Sequence, residues 1–320
     1  MIAARPIAGR DALVRPGPIG DLTYDGIVTA GDLLTISELQ DLRRRSARRG
    51  AWLVLHAWAV VAGAALLYTV WPSALTFMVA VVVIGGRQLG LAVLMHEASH
   101  WLLFPGQSAN NRVGSWLCAA PIWTDLPTYR RRHHLHHRHT QQPDDPDREL
   151  TAAVPMTPRT FWWAVAQDLS GWTAVIRVMR SRPTAGWRRL RRPLAANAVL
   201  AGGLAAAGQG HLYVLLWLLP LATWYQLGTR LRSISEHAMA PDGDDPLRNA
   251  RTTTAGVLER ALLAPYWANH HLEHHLMVFV SCWRLREAHA LLLAKGHGPR
   301  MEVVPGYVDV IRRATTVGAR

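Results

Sequence analysis

Histidine is the residue type whose number and spacing in this chain suggest chemistry: 16 of the 320 residues are histidines. Twelve of them fall in four short stretches, HEASH, RRHHLHHRH, SISEHA and NHHLEHH. Spacings of three and four residues place side chains on one helical face, so each HxxHH set is expected to aim at one point. The candidate metal ligands are His96, His100, His133, His136, His137, His237, His271, His274 and His275.

The number of candidate ligands indicates more than one metal ion. A zinc ion takes three or four ligands, so nine imidazoles predict two ions. Imidazole suits zinc, copper, iron and nickel alike, and the ligand type by itself leaves the metal open. We expect structural roles for the seven other histidines, which lie off the ligand stripe or outside the clusters: His56, His134, His139, His211, His270, His289 and His297.

Two other classes of protein compete with this interpretation. Residues 96–100 form a literal HExxH motif, which predicts a membrane zinc peptidase with Glu97 as the general base. That hypothesis leaves both HxxHH sets without a role. A histidine-rich metal transporter or sensor would place ionisable groups inside membrane spans, whereas the apolar stretches here hold only Arg87, His56 and, at the edge of one stretch, His211.

The elements that must position the histidines are apolar stretches. About 20 apolar residues cross a bilayer as a helix. Four spans are predicted, paired as two hairpins: residues 51–71, 74–95, 194–209 and 211–229. The chain has two cysteines, which excludes a disulfide scaffold, a four-cysteine zinc site and an all-cysteine iron–sulfur cluster.

The net charge of +13 orients the spans. Arginines precede each hairpin, and cytoplasmic loops carry the excess of positive charge. The clusters are Arg43, Arg44, Arg45, Arg48 and Arg49, then Arg182, Arg188, Arg189, Arg191 and Arg192. We therefore expect an all-α, polytopic membrane protein whose two termini and metal-bearing helical cap are cytoplasmic, in a bacterial inner membrane. Nucleic acid is not an expected partner, because no aromatic platform or recognition helix accompanies the arginines.

The expected domain organisation has three parts. Residues 1–50 form an N-terminal cytoplasmic segment without a signal-peptide pattern. Residues 51–295 form the membrane domain, and residues 296–320 form a C-terminal tail.

With three histidine clusters beside two hairpins, the sequence resembles the membrane fatty acid desaturase/hydroxylase superfamily over about residues 50–295. The three histidine boxes of that family correspond to His96/His100, to HxxHH at 133–137 and to HxxHH at 271–275, and His237 matches an additional family histidine after the fourth span. Thr140, Asp145-Pro146-Asp147 and Asn269 also resemble the family.

The resemblance implies a non-haem di-iron centre that uses O₂ to remove hydrogen from an unactivated C–H bond. A fatty-acyl or acyl-lipid desaturase is the first expectation, and a hydroxylase or ketolase of a lipid, sphingolipid or carotenoid is the alternative. The stretch LMVFVSCWRL after the third box departs from the FP…P segment of many desaturases. The acyl substrate and the reaction outcome therefore stay open.

Metal-bound histidines usually donate their second N–H to a carboxylate or another acceptor. The candidate partners are Glu97, Asp147, Glu236, Asn269 and Glu273. For the three glutamates a salt bridge to a nearby arginine is the alternative.

Reduction of O₂ during desaturation consumes two electrons from outside the substrate. The chain has no G-x-G-x-x-G nucleotide motif and no haem-binding HPGG. An external donor, a ferredoxin or a cytochrome b5-like protein with its reductase, is therefore implied. Arg130, Arg131 and Arg132 are candidates for docking an acidic donor.

Overall fold

The computed structural model describes residues 29–180 and 186–316, and helices dominate it. The helices, in chain order, are α1 Ala30–Leu33, α2 Ile36–Leu42, α3 Ala47–Val70, α4 Ala74–Ser99, α5 Gln107–Val113, α6 Leu126–Arg138, α7 Pro158–Leu169, α8 Trp172–Arg180, α9 Trp187–Ala206, α10 Leu219–Ala222, α11 Trp224–His237, α12 Val257–Leu262, α13 His271–Leu276, α14 Leu285–Ala294 and α15 Tyr307–Thr315. Two segments are π-helical, Gly114–Ala119 and Tyr213–Leu218. The 3₁₀ turns are Ala120–Ile122, Arg148–Leu150, Pro265–Trp267, Cys282–Arg284 and Gly298–Arg300. Strands β1 Thr252–Thr253 and β2 Val303–Val304 pair in parallel.

Helices α3 and α4 form the first predicted hairpin. They contain 24 and 26 residues, which at about 1.5 Å per residue exceeds the roughly 30 Å of bilayer hydrocarbon. Both are long and apolar enough to span a membrane. Ser73 caps α4 by accepting a hydrogen bond from the amide of Thr76, directly after Pro72. The prediction of two adjacent helices that could span a membrane is therefore confirmed for the first hairpin.

Helix α4 is the central element of the fold. In the most apolar 18-residue stretch of α4, 67% of the residues are buried, compared with 28% in the corresponding stretch of α3. Gly85 and Gly114 permit the close packing around it. A Cβ atom at Gly85 would lie 2.6 Å from Trp224 Cβ at the start of α11, and one at Gly114 would lie 2.4 Å from Ala98 Cβ. These contacts hold α11 and the π-helical segment against the end of α4 that carries histidine.

The region of the second predicted hairpin is less regular. The predicted span 194–209 lies mostly in α9, which also contains Pro193 and the arginines before it. The predicted span 211–229 is divided into the π-helical segment, α10 and α11, with a break at Thr223. Pro220 lacks the amide hydrogen that a regular α-helix needs for the turn before it, and that segment is π-helical. Within the described ranges, only α3 and α4 meet the length and hydropathy criteria for a span. Arg182 lies outside the described residues.

A second, smaller core connects the C-terminal region to the rest of the fold. It combines residues of α7, α11, β2 and α15: Met156, Phe161, Ile234, Ala238, Val304, Val310 and Ala314. The part of the predicted C-terminal tail that the structure describes thus packs behind α11, whose last residue is His237.

Candidate metal centre

Four helix ends carry the nine candidate ligands. His96 lies in the last turn of α4 and His100 is its C-cap. His237 is the last residue of α11. Helix α6 has Asp125 as its N-cap and carries the first HxxHH set in its last two turns, while the short helix α13 carries the second. The first set, on α6, is His133, His136 and His137, and the second set, on α13, is His271, His274 and His275.

The first cluster, here called the five-histidine group, has ligand atoms that lie within 4.8 Å of one another. The Nε2 atom of His133 is 2.8 Å from that of His100 and 3.0 Å from that of His137. The Nε2 atoms of His274 and His137 are also 3.0 Å apart. His96 completes the group.

The second cluster, here called the four-histidine group, has the same construction. The Nε2 atom of His237 lies 3.1 Å from that of His136 and 2.8 Å from that of His271. The Nε2 atoms of His275 and His271 are 3.1 Å apart. The two groups together contain all nine histidines that the sequence singles out.

The structure divides each HxxHH set between the groups, so the expectation that each set aims at one point is wrong. In α6, His133 and His137 belong to the five-histidine group and His136 to the other. In α13, His271 and His275, which are four residues apart, belong to the four-histidine group, and His274 belongs to the five-histidine group. Successive residues turn by about 100° in a helix, so residues i and i+4 lie about 40° apart while i+3 and i+4 differ by about 100°. A helix that lies between two sites therefore sends its i,i+4 pair to one and the middle histidine to the other.

Burial favours the neutral form of seven of these imidazoles, the form that metal ligation requires. Desolvation, followed by the charge of neighbouring histidines and arginines, holds the pKa of several rings well below the usual value. The affected residues outside the spans are His100, His133, His137, His237, His271, His274 and His275.

The carboxylate that contacts a candidate ligand is Asp145. Its Oδ1 lies 2.8 Å from His136 Nδ1, and its carboxylate also accepts hydrogen bonds from the amides of Gln141 and Asp147. Asp145 is buried, at 7% exposure. Thr140 Oγ1 is 3.2 Å from His275 Nδ1. The sequence noted Asp145 within its Asp-Pro-Asp motif but singled out Asp147 as the partner.

The structure gives the five predicted ligand partners other contacts. Asp147 accepts a hydrogen bond from Arg132 Nε at 2.8 Å, and Glu236 accepts one from Arg232 Nε at 2.7 Å. Glu97, fully buried, accepts one from the amide of Cys282 at 2.8 Å. The nearest approaches of the glutamates to candidate ligands are 3.5 Å, from Glu97 to His96, and 3.9 Å, from Glu236 to His271.

Asn269 and Glu273 stabilise the segment that leads into α13. The Asn269 side chain donates to Thr253 O at 3.0 Å. Glu273 accepts hydrogen bonds from His289 Nδ1 at 2.6 Å and from the hydroxyl of Thr252. Burial alone raises the pKa of Glu273, but interactions with His270 and His289 lower it to about 2.

Two of the histidines not expected to be ligands, His270 and His289, lie beside Glu273. The three side chains form a further set of potential ligands within 4.8 Å. Within this set, the Glu273 carboxylate is hydrogen-bonded to His289. His134 lies apart from both groups, with Nε2 3.2 Å from Ser99 O. His56 Nδ1 contacts the Tyr266 hydroxyl at 3.1 Å.

A cavity of about 80 Å³, lined by both polar and apolar groups, reaches the two groups from between α6, the turn at Arg148–Leu150 and α11. Its lining includes His96 and His133 of the five-histidine group. It also includes histidines of the four-histidine group on α6, α11 and α13. A small molecule in this cavity would therefore contact both groups at once.

The sequence model of one protein family, described as fatty acid desaturase, matches residues 70–303. The chain belongs to the fatty acid desaturase family. The matched residues include all nine histidines, Asp145 and the whole of α4. The resemblance noted in the sequence is confirmed.

Individual relatives in this family have two kinds of printed activity. A dihydrorhizobitoxine desaturase of Bradyrhizobium elkanii is 28% identical over 285 residues, covering 82% of this chain and 77% of the relative. A beta-carotene ketolase of Paracoccus sp. (strain PC1) is 27% identical over 283 residues, covering 85% and 94%. A second beta-carotene ketolase, from Paracoccus sp. (strain N81106 / MBIC 01143), is 26% identical over 287 residues, covering 84% and 93%.

The family and the geometry agree at a coarse level. The relatives are oxidoreductases, the histidine groups have the donors to bind metal, and two helices point to membrane association. Among metals that imidazole binds, the desaturase family suggests iron.

Proposed function

We propose that this desaturase-family chain is an O₂-dependent oxidoreductase with two non-haem irons, which introduces a C=C bond into a fatty-acyl or acyl-lipid substrate. The observation that carries the proposal is the pair of adjacent histidine groups, five and four imidazoles, at the C-terminal end of α4, a candidate membrane span. The cavity that borders both groups supplies a place for the reacting carbon.

The donor set fits metal binding. In both groups, neighbouring Nε2 atoms lie 2.8–3.1 Å apart, close enough for the imidazoles to share one ion. Imidazole suits iron and zinc alike, and the desaturase family favours iron. Bound there, two irons would supply the O₂ activation that removal of hydrogen from an unactivated C–H bond demands.

The chain's own residues prepare the site in three ways. Burial favours the neutral form of most of the imidazoles. Asp145 orients His136 through Nδ1, and Thr140 contacts the Nδ1 of His275. A hydrogen-bonded Nδ1 directs Nε2 toward the metal and raises the basicity of the ring.

The zinc-peptidase hypothesis finds no support in this geometry. A general base must face the reacting water, but the Glu97 carboxylate accepts a hydrogen bond from Cys282 and does not line the cavity. Two of the relatives do support a second candidate function, ketolation or hydroxylation, because they are named beta-carotene ketolases.

We propose four spans for the membrane domain, with the metal centre on the cytoplasmic side of a bacterial inner membrane. Helix α9 and the segment after it expose apolar side chains, such as Val199 at 77% and Val214 at 56%, that suit contact with lipid. Tryptophan concentrates at membrane interfaces. Four exposed tryptophans lie in α7, in α8 and at the start of α9: Trp162, Trp163, Trp172 and Trp187.

An external electron donor, a ferredoxin or a cytochrome b5-like protein with its reductase, completes the proposal. Of the three arginines expected to dock it, Arg130 donates to the carbonyls of residues 98 and 99, and Arg132 pairs with Asp147. Arg131 is exposed. Turnover that does not change between low and high salt would argue against electrostatic docking.

Expression in a heterologous host followed by mass spectrometry of its lipids tests the reaction. Loss of two hydrogens from an acyl lipid supports the desaturase, gain of one oxygen supports a hydroxylase, and replacement of two hydrogens by oxygen supports a ketolase. Iron content of the purified protein is measured in parallel, and the His274→Ala variant is the inactive control. A protein that binds zinc alone and leaves every lipid unchanged would contradict the proposal.

A further inference from the structure

One arginine in the lining of the cavity that borders the two histidine groups has no ion-pair partner among the described residues. Besides histidines, the charged lining residues are Asp145, Asp147, Arg148, Arg232 and Glu236. Their partners show which of these charges are already compensated.

Each of the carboxylates in the lining is already engaged. Asp145 contacts His136 at 2.8 Å and Asp147 contacts Arg132 Nε at 2.8 Å. Glu236 pairs with Arg232 Nη2 at 2.6 Å, so that the half-buried arginine and glutamate neutralise one another. Asp145 keeps its negative charge, because its partner is an imidazole that must be neutral to bind metal.

Arg148 differs from these residues. It is exposed in the 3₁₀ turn that covers the cavity, and its guanidinium forms no ion pair with any residue in the described ranges. Its neighbours at the rim, Leu150 and Thr151, are uncharged. A guanidinium with five donors and no partner, next to the space in which a substrate reacts, suits a carboxylate or a phosphate.

We propose that the cavity recognises its substrate through an anionic group, a carboxylate or a phosphate, which pairs with Arg148, and that Arg148 therefore determines substrate specificity. The proposal rests on the proposed function in that it takes the cavity to be the substrate site. It favours acyl chains or other small molecules that carry an anionic head and disfavours an uncharged carotenoid.

The size of the cavity agrees with this. At about 80 Å³, it is well below the roughly 300–1,000 Å³ of pockets that enclose a whole drug-sized ligand. It accommodates a small substrate, or the head and nearest carbons of a larger one.

Direct binding of simple probes tests the proposal without turnover. The iron-loaded, full-length protein in detergent is titrated with butyrate, butyl phosphate and butanol at constant ionic strength, and binding is followed by ligand-observed NMR. We expect at least one anion to bind and butanol not to bind, and the anion that binds identifies carboxylate or phosphate as the head group. R148Q should weaken anion binding about tenfold, equivalent to about 1.4 kcal/mol, and R148K should weaken it less.

The matched control is R286Q, which removes an exposed arginine of α14 that is not part of the cavity lining. Its anion binding should equal that of the unmodified protein. Anion binding that survives R148Q unchanged, as expected for an anion held by the metal alone, overturns the proposal. Equal binding of butanol and the anions overturns it as well.

Turnover separates this inference from the proposed function. Conversion of an uncharged carotenoid that R148Q leaves unchanged refutes the role of Arg148 while the oxidoreductase activity stands. Arg148-dependent anion binding without oxidation of any lipid supports the anion site while the proposed activity fails. For a converted anionic substrate, we expect R148Q to raise KM by about the same factor as it weakens binding, with a smaller change in kcat.

Discussion

Replacing Asp145 by asparagine tests how the four-histidine group is held. Asp145 Oδ1 lies 2.8 Å from His136 Nδ1. Asparagine keeps the size of the side chain and one acceptor oxygen but removes the negative charge. The ring of His136 then loses the partner that fixes its orientation and raises its basicity.

The expected magnitude follows from the kind of contact. Loss of a carboxylate partner of a metal-bound histidine typically costs 10–100-fold in metal affinity or activity, which corresponds to about 1.4–2.7 kcal/mol. D145N should lie in this range, since the contact is buried. The Asp147–Arg132 pair has a half-exposed arginine, and pairs near the surface contribute about 0–1 kcal/mol. D147N should therefore bind metal almost normally.

The assay is competition between the purified protein and a chelator of known iron affinity, with unmodified protein, D145N and D147N measured side by side. Thermal unfolding of the metal-free proteins checks that D145N folds, because Asp145 also accepts two backbone amides. If D147N loses more metal affinity than D145N, or if D145N retains full affinity, the assignment of Asp145 as the partner of His136 is refuted.

Three further predictions follow from the geometry. His237→Ala should remove the metal of the four-histidine group and spare that of the five-histidine group, so metal analysis that shows loss of both or of neither would contradict two separate sites. E97Q should retain bound metal and part of the activity, whereas complete loss of activity at normal metal content would revive the peptidase hypothesis. Gly50→Ala places a Cβ 1.9 Å from Leu103 O and should destabilise the protein by about 1–3 kcal/mol. Gly63→Ala, with nothing within 4 Å, should stabilise it by about 0.5–1 kcal/mol, and unfolding midpoints that rank the two variants in the opposite order would contradict this packing.

Local patterns were sufficient to predict a good part of the fold and of the candidate site. Helix spacing selected eight of the sixteen histidines, because a side chain's helical face depends only on its position in the helix. The family resemblance supported His237, and the structure brings these nine together. The hairpin of α3 and α4 followed from the length and hydropathy of two adjacent stretches. Both features depend on neighbours in the sequence.

The path of the chain near the second hairpin was less predictable. The stretch at 211–229 has the hydropathy of a span, yet Pro220 and the break at Thr223 divide it into shorter helical segments. The position of a break depends on how α10 and α11 pack against α4, which hydropathy does not encode.

Contacts between distant segments were decided by the tertiary structure alone. Asp145 and Asp147 are two residues apart and chemically identical, and only the turn after α6 determines that one meets His136 while the other meets Arg132. Likewise, the sequence supplies the ligands of the two groups, but their division into five and four depends on where α6 and α13 lie between the ends of α4 and α11. Spacing along a helix determines the direction of a side chain about its axis, whereas the packing of the helices determines what that side chain meets.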